Sequence, residues 1–125
     1  MPNPFVHVEL QTRDLPKAKD FYARLFDWKL QDMPMQGGGS YTMIDVGGGT
    51  GGGMVVSPDP NAPPSWMAYV GVDDVRAMTE KARRLGAAIC LDVTEVGEFG
   101  WMSVFTDPTG ATLALWQPKN PQKQG

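Results

Sequence analysis

An internal repeat constrains the fold of this 125-residue chain more than any other feature. Two segments, DLPKAKDFYARLFDW and DDVRAMTEKARRLGA, have apolar residues at spacings of three and four, which predicts two amphipathic helices. Strand-like runs flank each helix, one before it and three after it, so each half is predicted to fold as a β-α-β-β-β unit. An offset of 60 residues, predicted to run without a gap, aligns Asp14 with Asp74, Leu25 with Leu85, Ile44 with Val104 and Val55 with Leu115.

The two units are predicted to form one domain over residues 1–125. Asp14 followed by Pro16 is a typical helix start. Asp73 or Asp74 is expected to cap the second helix, and Gly86 is expected to end it. The predicted segments are a first unit over 4–57, a Pro-rich linker over 58–64, a second unit over 65–118 and a flexible tail over 119–125.

The glycine-rich stretch GGGTGGG, residues 47–53, contains the pattern G-x-G-x-x-G of dinucleotide-binding loops. Such a loop must open a helix, so that the helix N-terminus meets the pyrophosphate. Here the stretch precedes the short β-rich run MVVS, and the repeat places Gly47 opposite the DPTG turn at residues 107–110. We therefore expect hairpin turns at both places and no nucleotide site.

The charge balance argues against nucleic acid as a partner. The formal net charge is -3, and the Lys and Arg residues form no extended basic face. The single Cys90 cannot form an internal disulfide, and its apolar neighbours predict a packed thiol in a reducing compartment. Neither a signal-peptide pattern nor a membrane-spanning apolar run is present, so we expect a soluble, cytoplasmic protein.

The repeat carries a family resemblance. With FVHVELQTRDLPKAKDFYARLF at its head and FTDPTGATLALWQP at its end, the chain resembles the glyoxalase, bleomycin-resistance and extradiol dioxygenase group, the vicinal oxygen chelate superfamily, over residues 4–118. The resemblance implies an α+β fold in which tandem βαβββ units form a curved, open half-barrel around a cavity. It also implies a homodimer, because the open sheets of this group usually pair across subunits.

Strand alternation then predicts which side chains face the cavity. On the first strand Val6, Val8 and Leu10 are expected to pack on the helix, which turns the intervening residues toward the cavity. The residues expected to face it are Phe5, His7, Glu9 and Gln11 on the first strand; Tyr41, Met43 and Asp45 on the third; Gly52, Met54 and Val56 on the fourth; Ser65, Met67 and Tyr69 on the fifth; Trp101, Ser103 and Phe105 on the seventh; and Thr112, Ala114 and Trp116 on the eighth.

Metal-dependent members of the group bind a divalent ion through His, Gln or Glu side chains on the first and fourth strands of both units. The resemblance places those positions at His7, Met54, Met67 and Ala114. Only His7 suits a hard or borderline divalent ion, because thioethers and a methyl group cannot complete a shell of oxygen and nitrogen. We therefore expect no cofactor and no catalytic metal, and the alternative is a divalent metal held in an atypical way.

His7 and Glu9 are the candidate catalytic residues. His7 is the one histidine of the chain, and its unperturbed pKa lies near neutrality. Glu9 is two residues along the same strand, where its charge would favour the protonated imidazole. The pair could act as a general base with its orienting group, or it could bind a polar group of a ligand or form a structural hydrogen bond.

The other candidate site residues are apolar or aromatic, and they could stack on a planar ligand or fill a core or a dimer interface. Trp28 and Trp66, on the opposite strand phase, are expected in the core. Glu98 and Phe99, in the loop EVGEFG, are candidates for the cavity mouth. The candidate ligand-binding residues are Tyr41, Met43, Met54, Met67, Tyr69, Trp101 and Trp116.

The function expected from these features is binding of a small, partly apolar or aromatic organic molecule without a catalytic metal. One alternative is a lyase, isomerase or dioxygenase-like enzyme that uses His7 and Glu9 or an atypically held metal. Another is a non-enzymatic interaction subunit whose cavity is filled by side chains. The expected partners are a small molecule and a second copy of the chain, with no nucleic acid and no membrane. The sequence does not select a substrate.

Overall fold

The computed structural model describes residues 3–35 and 38–119 of the chain. The predicted order β-α-β-β-β is present twice, which confirms the α+β class and the tandem arrangement. The elements are β1 (Phe5–Thr12), α1 (Leu15–Leu25), β2 (Lys29–Pro34), β3 (Ser40–Asp45), β4 (Gly52–Val56), β5 (Ser65–Gly71), α2 (Val75–Arg84), β6 (Ala88–Val96), β7 (Gly100–Thr106) and β8 (Thr112–Pro118).

The backbone divides into two compact units, His7–Met67 and the chain on either side of it. In the first unit the strand order is β2-β3-β4-β1, and in the second it is β5-β8-β7-β6. Each unit joins its antiparallel strands through hairpins and pairs its first strand parallel to its last, β1 with β4 and β5 with β8. Neither helix, among the described residues, is long and apolar enough to span a bilayer.

Both helices begin where the sequence predicts. The Oδ1 atom of Asp14 accepts a hydrogen bond from Lys17 N at 3.1 Å, and Asp74 Oδ1 accepts from Ala77 N at the same distance. After α2, Gly86 has a φ of 104° and its N–H donates to Arg83 O. A glycine at this position permits the left-handed conformation that closes the last helical turn.

The two glycine-containing turns are hairpins, as predicted. Gly47, Gly48 and Gly49 all have positive φ, and Gly47 N donates to Asp45 Oδ1 at 2.9 Å. In the second unit Asp107 Oδ1 accepts from Thr109 N and Thr109 Oγ1, both at 2.7 Å. These hydrogen bonds, donated by the side chain and the backbone N–H of Thr109, hold the pKa of the Asp107 carboxyl below its usual value. Strand β4 follows the turn at residues 47–49 directly, where a dinucleotide-binding loop would lead into a helix, so the turn lacks the geometry of a nucleotide-binding loop.

Each unit has its own apolar core between the helix and the inner face of its strands. In the first unit the buried apolar residues of this core come from β1, α1, β3 and β4, and in the second from β8 and the region where β5 leads into α2. The first cluster is Leu10, Leu15, Ile44 and Met54, and the second is Val72, Val75 and Leu115.

The gapless 60-residue offset is wrong beyond the helices. Thr42 lies opposite Met54 in the first unit, and Ser103 lies opposite Leu115 in the second, so the matching positions on these strands are 61 residues apart. The helix caps keep the spacing of 60, because Asp14 matches Asp74. The repeat therefore gains one residue between the helices and the third strands.

The two register shifts in β6 add two residues, and the segment between the helix cap and β6 is one residue shorter than its counterpart before β2, so the net gain is one residue. The β2–β3 pairing is regular over six residue pairs, whereas the β6–β7 pairing has two register shifts. Lys29 at the start of β2 corresponds to Ala88, but Met33 near its end corresponds to Thr94. Each bulge places an additional residue on one strand without a partner on the other. The composition of AICLDVTEV gives no signal of these bulges.

The shift reverses the predicted faces of β4. Met54 pairs with Leu10 and is fully buried, at 0% exposure, in the core against α1. Gly53 and Val55 therefore lie on the opposite face, beside Glu9 and Gln11. The prediction that Gly52, Met54 and Val56 face away from the helix is wrong by one residue, since a glycine-rich strand has too few side chains to reveal its phase.

The predicted faces of β7 are also reversed. Ser103 Oγ lies 2.8 Å from Thr79 Oγ1 on α2, and Trp101 and Phe105 pack against the core of that unit. Met102 and Val104 are the residues that pair with Trp116 and Ala114 on the other face. The Ser103 hydroxyl can be buried because it forms a hydrogen bond with the Thr79 hydroxyl. The prediction from alternating apolar residues did not anticipate a buried serine.

Two smaller predictions can be compared with the structure. The thiol of Cys90 is exposed on β6, with Sγ 3.1 Å from Thr106 Oγ1, so the expectation of a packed thiol is wrong. Within the predicted tail, Lys119 is held by its N–H to Phe99 O at 2.9 Å and its Nζ to Gly97 O at 2.8 Å. Residues 120–125 lie outside the described part of the chain.

Candidate functional site

The candidate site is built on the face of β1 that points away from α1. Leu10 lies in the apolar core, so alternation places His7, Glu9 and Gln11 together on the opposite face. The pairing of β1 with β4 and of β4 with β3 brings Tyr41 and Met43 to the same face. The first unit therefore collects an imidazole, a carboxylate, an amide and a phenol on one surface.

These four polar side chains form a chain of hydrogen bonds through Tyr41. Its hydroxyl donates to Glu9 Oε1 at 2.9 Å, and His7 Nε2 lies 2.7 Å from the same hydroxyl. A phenol carries a single proton, so we infer that His7 Nε2–H is the donor in the second bond. Gln11 Nε2 donates to Glu9 Oε2 at 2.9 Å. The carboxylate of Glu9 thus accepts on both oxygens, and the chain has a defined direction from His7 to Glu9.

Gly53 makes room for this arrangement. The ring of Tyr41 lies directly over the backbone of Gly53, where a Cβ atom would overlap the Cε1 and Oη atoms of the tyrosine. A side chain at residue 53 would therefore displace Tyr41 from both His7 and Glu9. Because Gly53 has no side chain, Tyr41 can occupy the centre of the polar face.

Burial controls the protonation of His7. Glu9 is only 6% exposed, and His7 is partly buried beside it. Burial lowers the pKa of His7 below its ordinary value of 6.5, and the negative charge of Glu9 opposes that shift. The sequence led us to expect the effect of Glu9, but burial is the larger influence. A neutral imidazole at pH 7 follows, which agrees with a single Nε2–H proton directed at Tyr41.

The donor set does not fit the metal that the family resemblance implies. His7 and Glu9 both bond to Tyr41, and β4 offers only Gly53 and Val55 on their face. Among residues 3–35 and 38–119, no three His, Cys, Asp or Glu side chains lie close enough to hold an ion together. Protein metal sites need three or four such ligands, so we derive no chemistry through a metal here.

The structure separates the other predicted ligand-binding residues. Met43 is 38% exposed on the His7 face, whereas Met54 is in the core and Met67 is buried. In the second unit Tyr69 is buried and meets Trp116 edge to face, with ring centroids 6.5 Å apart.

Trp101 lies on the α2 side, away from the face of Tyr69. There its ring is covered by Lys119 Nζ at 5.2 Å from the centroid. It packs against the core of the second unit. The ligand-binding roles assigned from the sequence to Tyr41, Met43, Met54, Met67, Tyr69, Trp101 and Trp116 stay predictions, as do the catalytic roles of His7 and Glu9.

The sequence reasoning missed the central role of Tyr41 and the roles of Gln11 and Gly53. Tyr41 was expected to stack on a ligand, yet its hydroxyl joins His7 to Glu9. One signal was present, because a glycine inside a strand often marks a place where another group approaches the backbone closely. The reversed phase of β4 concealed it.

Comparison with known proteins agrees with this fold. The family model described as Glyoxalase/Bleomycin resistance protein/Dioxygenase superfamily matches residues 5–115. The chain is 41% identical over 115 residues to the Mycobacterium tuberculosis protein CFP32, provisionally named a glyoxylase, covering 88% of this chain and 44% of that protein. It is 28% identical over 123 residues to the anthracycline biosynthesis protein DnrV of Streptomyces peucetius, covering 87% and 45%. The chain therefore spans less than half the length of these curated relatives.

A solved structure has the same fold. The methylmalonyl-CoA epimerase from Mycobacterium tuberculosis superposes with a TM-score of 0.71 over 97% of this chain and 91% of the epimerase, at 16% identity. That identity is low enough that the likeness concerns the fold alone. The tandem βαβββ architecture, the family-model match across nearly the whole chain and the CFP32 relationship together show that the chain belongs to the glyoxalase/bleomycin resistance protein/dioxygenase superfamily.

Proposed function

We propose that the protein binds a small, partly apolar or aromatic organic molecule on the His7–Tyr41–Glu9 face without a catalytic metal. The observation that carries this proposal is the hydrogen-bonded chain itself, in which Tyr41 lies between His7 and Glu9 and bonds to both. The half-exposed Met43 supplies an adaptable apolar contact on the same face. A few fixed polar groups next to apolar surface are typical of small-molecule sites.

The relatives favour a ligand of this chemical class. DnrV is named an anthracycline biosynthesis protein, and CFP32 is provisionally named a glyoxylase. We infer a small organic ligand from these two names. Both names describe proteins more than twice as long as this chain, so they support the class of ligand and select no single compound.

The binding proposal is tested by screening a library of aromatic and carbonyl compounds by thermal shift. We expect compounds that raise Tm in the unmodified chain to lose that effect in Tyr41→Phe, because the variant breaks both hydrogen bonds of the hydroxyl. Tyr22→Phe is the matched control, since it removes a tyrosine hydroxyl from the α1 face. The proposal fails if no compound stabilises the protein, or if Tyr22→Phe and Tyr41→Phe respond alike.

The absence of a metal is tested separately. Protein purified without chelator and without a His-tag should contain far less than one Ni, Zn, Mn or Fe per chain by elemental analysis. About one metal ion per chain, lost in His7→Ala, would overturn the metal-free part of the proposal and favour an atypically held ion.

A second candidate is an acid–base enzyme of the lyase or isomerase class. The observation that favours it is that Tyr41 links the neutral imidazole of His7 to the buried carboxylate of Glu9, because either group can accept a substrate proton as a general base. Exchange of carbonyl-adjacent protons for deuterium, followed by NMR, tests this function. We expect exchange to be lost in Glu9→Gln. The enzyme function is excluded if the unmodified chain shows no exchange, or if Glu9→Gln exchanges as fast as the unmodified chain.

We also propose that the protein is a cytoplasmic homodimer. The exposed Cys90 thiol suits a reducing compartment, and exposed apolar side chains such as Phe21 and Leu25 on α1 suit a second copy. Light scattering coupled to size-exclusion chromatography measures the mass directly. A monomer at micromolar concentration would contradict the dimer and favour the alternative of an interaction subunit for another protein.

A further inference from the structure

A cluster of aromatic side chains lies on the α1 side of the first unit, opposite the His7 face. Tyr22 stacks on Trp28 with ring centroids 5.7 Å apart, and Trp66 meets Tyr22 edge to face at 5.5 Å. Trp28 and Trp66 are also edge to face, at 6.3 Å and an interplanar angle of 78°. The sequence predicted both tryptophans in the core, but Trp66 is 40% exposed. The fold thus leaves a large aromatic surface open beside its own core.

The two tryptophans border a cavity of about 260 Å³. Its floor is the inner face of the sheet, where Gly52 lies against Val8 so closely that a Cβ atom would overlap Val8 O. Gly51 and Gly52 line this space together with the two indole rings. The lining side chains are Val8, Trp28, Ile44, Val46, Thr50 and Trp66.

The lining specifies the chemistry of an occupant. It has no charged side chain, and its one polar side chain is the hydroxyl of Thr50. No charged side chain lines the space to pair with an ion, whereas a planar ring can stack on or meet the edge of either indole. A dry apolar cavity of roughly 150 Å³ holds benzene, so about 260 Å³ suits one or two fused rings.

We propose that this cavity is a second ligand site, distinct from the His7 face, for an uncharged planar aromatic molecule of one or two rings. The two sites use opposite faces of the same four strands, because Val8 and Ile44 line the cavity while Glu9 and Met43 belong to the other face. Binding in the cavity therefore does not require binding on the His7 face, and each proposal can be refuted without refuting the other.

The proposal is tested by titrating indole into the ¹⁵N-labelled full chain and following the indole N–H signals of its four tryptophans by NMR. Single Trp→Phe variants assign those signals. We expect saturable shifts at Trp28 and Trp66, with a Kd in the millimolar range, and no comparable shifts at Trp101 and Trp116. Cyclohexanol, which has a similar size to one ring but no π face, should bind several-fold more weakly.

Variants separate the cavity from general hydrophobic binding. Trp66→Ala should weaken indole binding about tenfold, the loss expected for an aromatic pair. Phe99→Ala, which removes an exposed aromatic ring in the other unit, is the matched control and should leave binding unchanged. Val46→Phe fills the space while keeping both tryptophans, so it remains informative if Trp66→Ala does not fold. The proposal is overturned if Val46→Phe binds normally, if all four tryptophans shift together, or if cyclohexanol binds as tightly as indole.

Discussion

The sharpest prediction concerns Gly53→Ala. The added methyl group would overlap the ring and hydroxyl of Tyr41, so the tyrosine must leave its position between His7 and Glu9. That movement breaks one hydrogen bond to a buried carboxylate, worth about 1.5–3 kcal/mol, and one between neutral groups, worth about 1 kcal/mol. Alanine in place of glycine within a strand returns about 0.5–1 kcal/mol. We therefore expect a net loss of about 2 kcal/mol in the free energy of unfolding.

The measurement is urea unfolding of a double-mutant cycle with Tyr41→Ala. Tyr41→Ala removes the three atoms that lie nearest to a Cβ at residue 53, so in that background Gly53→Ala should be neutral or stabilising by about 0.5 kcal/mol. Gly52→Ala is the matched control, because its methyl group would overlap the backbone oxygen of Val8 and Tyr41→Ala cannot relieve that overlap. The reasoning is refuted if Gly53→Ala costs the same in both backgrounds, or if it costs nothing in the unmodified chain.

Three further predictions follow from burial and pKa. The pKa of His7 is lower in the folded state, so the folded protein binds fewer protons than the unfolded chain. The free energy of unfolding should therefore be constant above pH 6.5 and fall as the pH drops toward the folded pKa. Urea unfolding at pH 7.5 and pH 5.5 should show a larger loss for the unmodified chain than for His7→Gln. Met54→Ala should lower the unfolding free energy by about 2–5 kcal/mol, and Met43→Ala by less than about 1 kcal/mol, as measured by denaturation; similar costs would contradict the assigned faces of β4. Ser103→Ala should cost about 1 kcal/mol, since Thr79 Oγ1 keeps its bond to Val75 O, and a cost near zero would show that the buried hydroxyl pair is not formed.

The sequence predicted the features that depend on local chemistry. Asp14 and Asp74 cap their helices because a short acidic side chain at that position satisfies backbone N–H groups whatever surrounds it. The turns at residues 47–49 and 107–110 follow from glycine and proline in the same way. The order of elements, the family and the fold class depend on these signals, and all three are confirmed.

The strand faces could not be predicted as securely, because alternation fixes a face only when the register is known. β7 carries a buried hydroxyl, Ser103, on the face that packs against the helix, so polarity misled its assignment. The face of β3 was assigned correctly, although Thr42 is buried in the same way. The bulges in β6 had no signature of their own, and they moved the repeat by one residue. The site inherited this error, since Met54 was assigned the place that Gly53 and Tyr41 occupy.

The bulges have a consequence for aggregation. β6 is the last strand in its unit, so one of its edges carries backbone groups that β7 does not pair. A regular edge of that kind can template pairing with another chain, and bulges interrupt the row of donors and acceptors that such pairing needs. Removing the inserted residues would make the two halves of the chain more alike in sequence. It would also straighten β6, and the more symmetrical protein would be the one that forms intermolecular sheets.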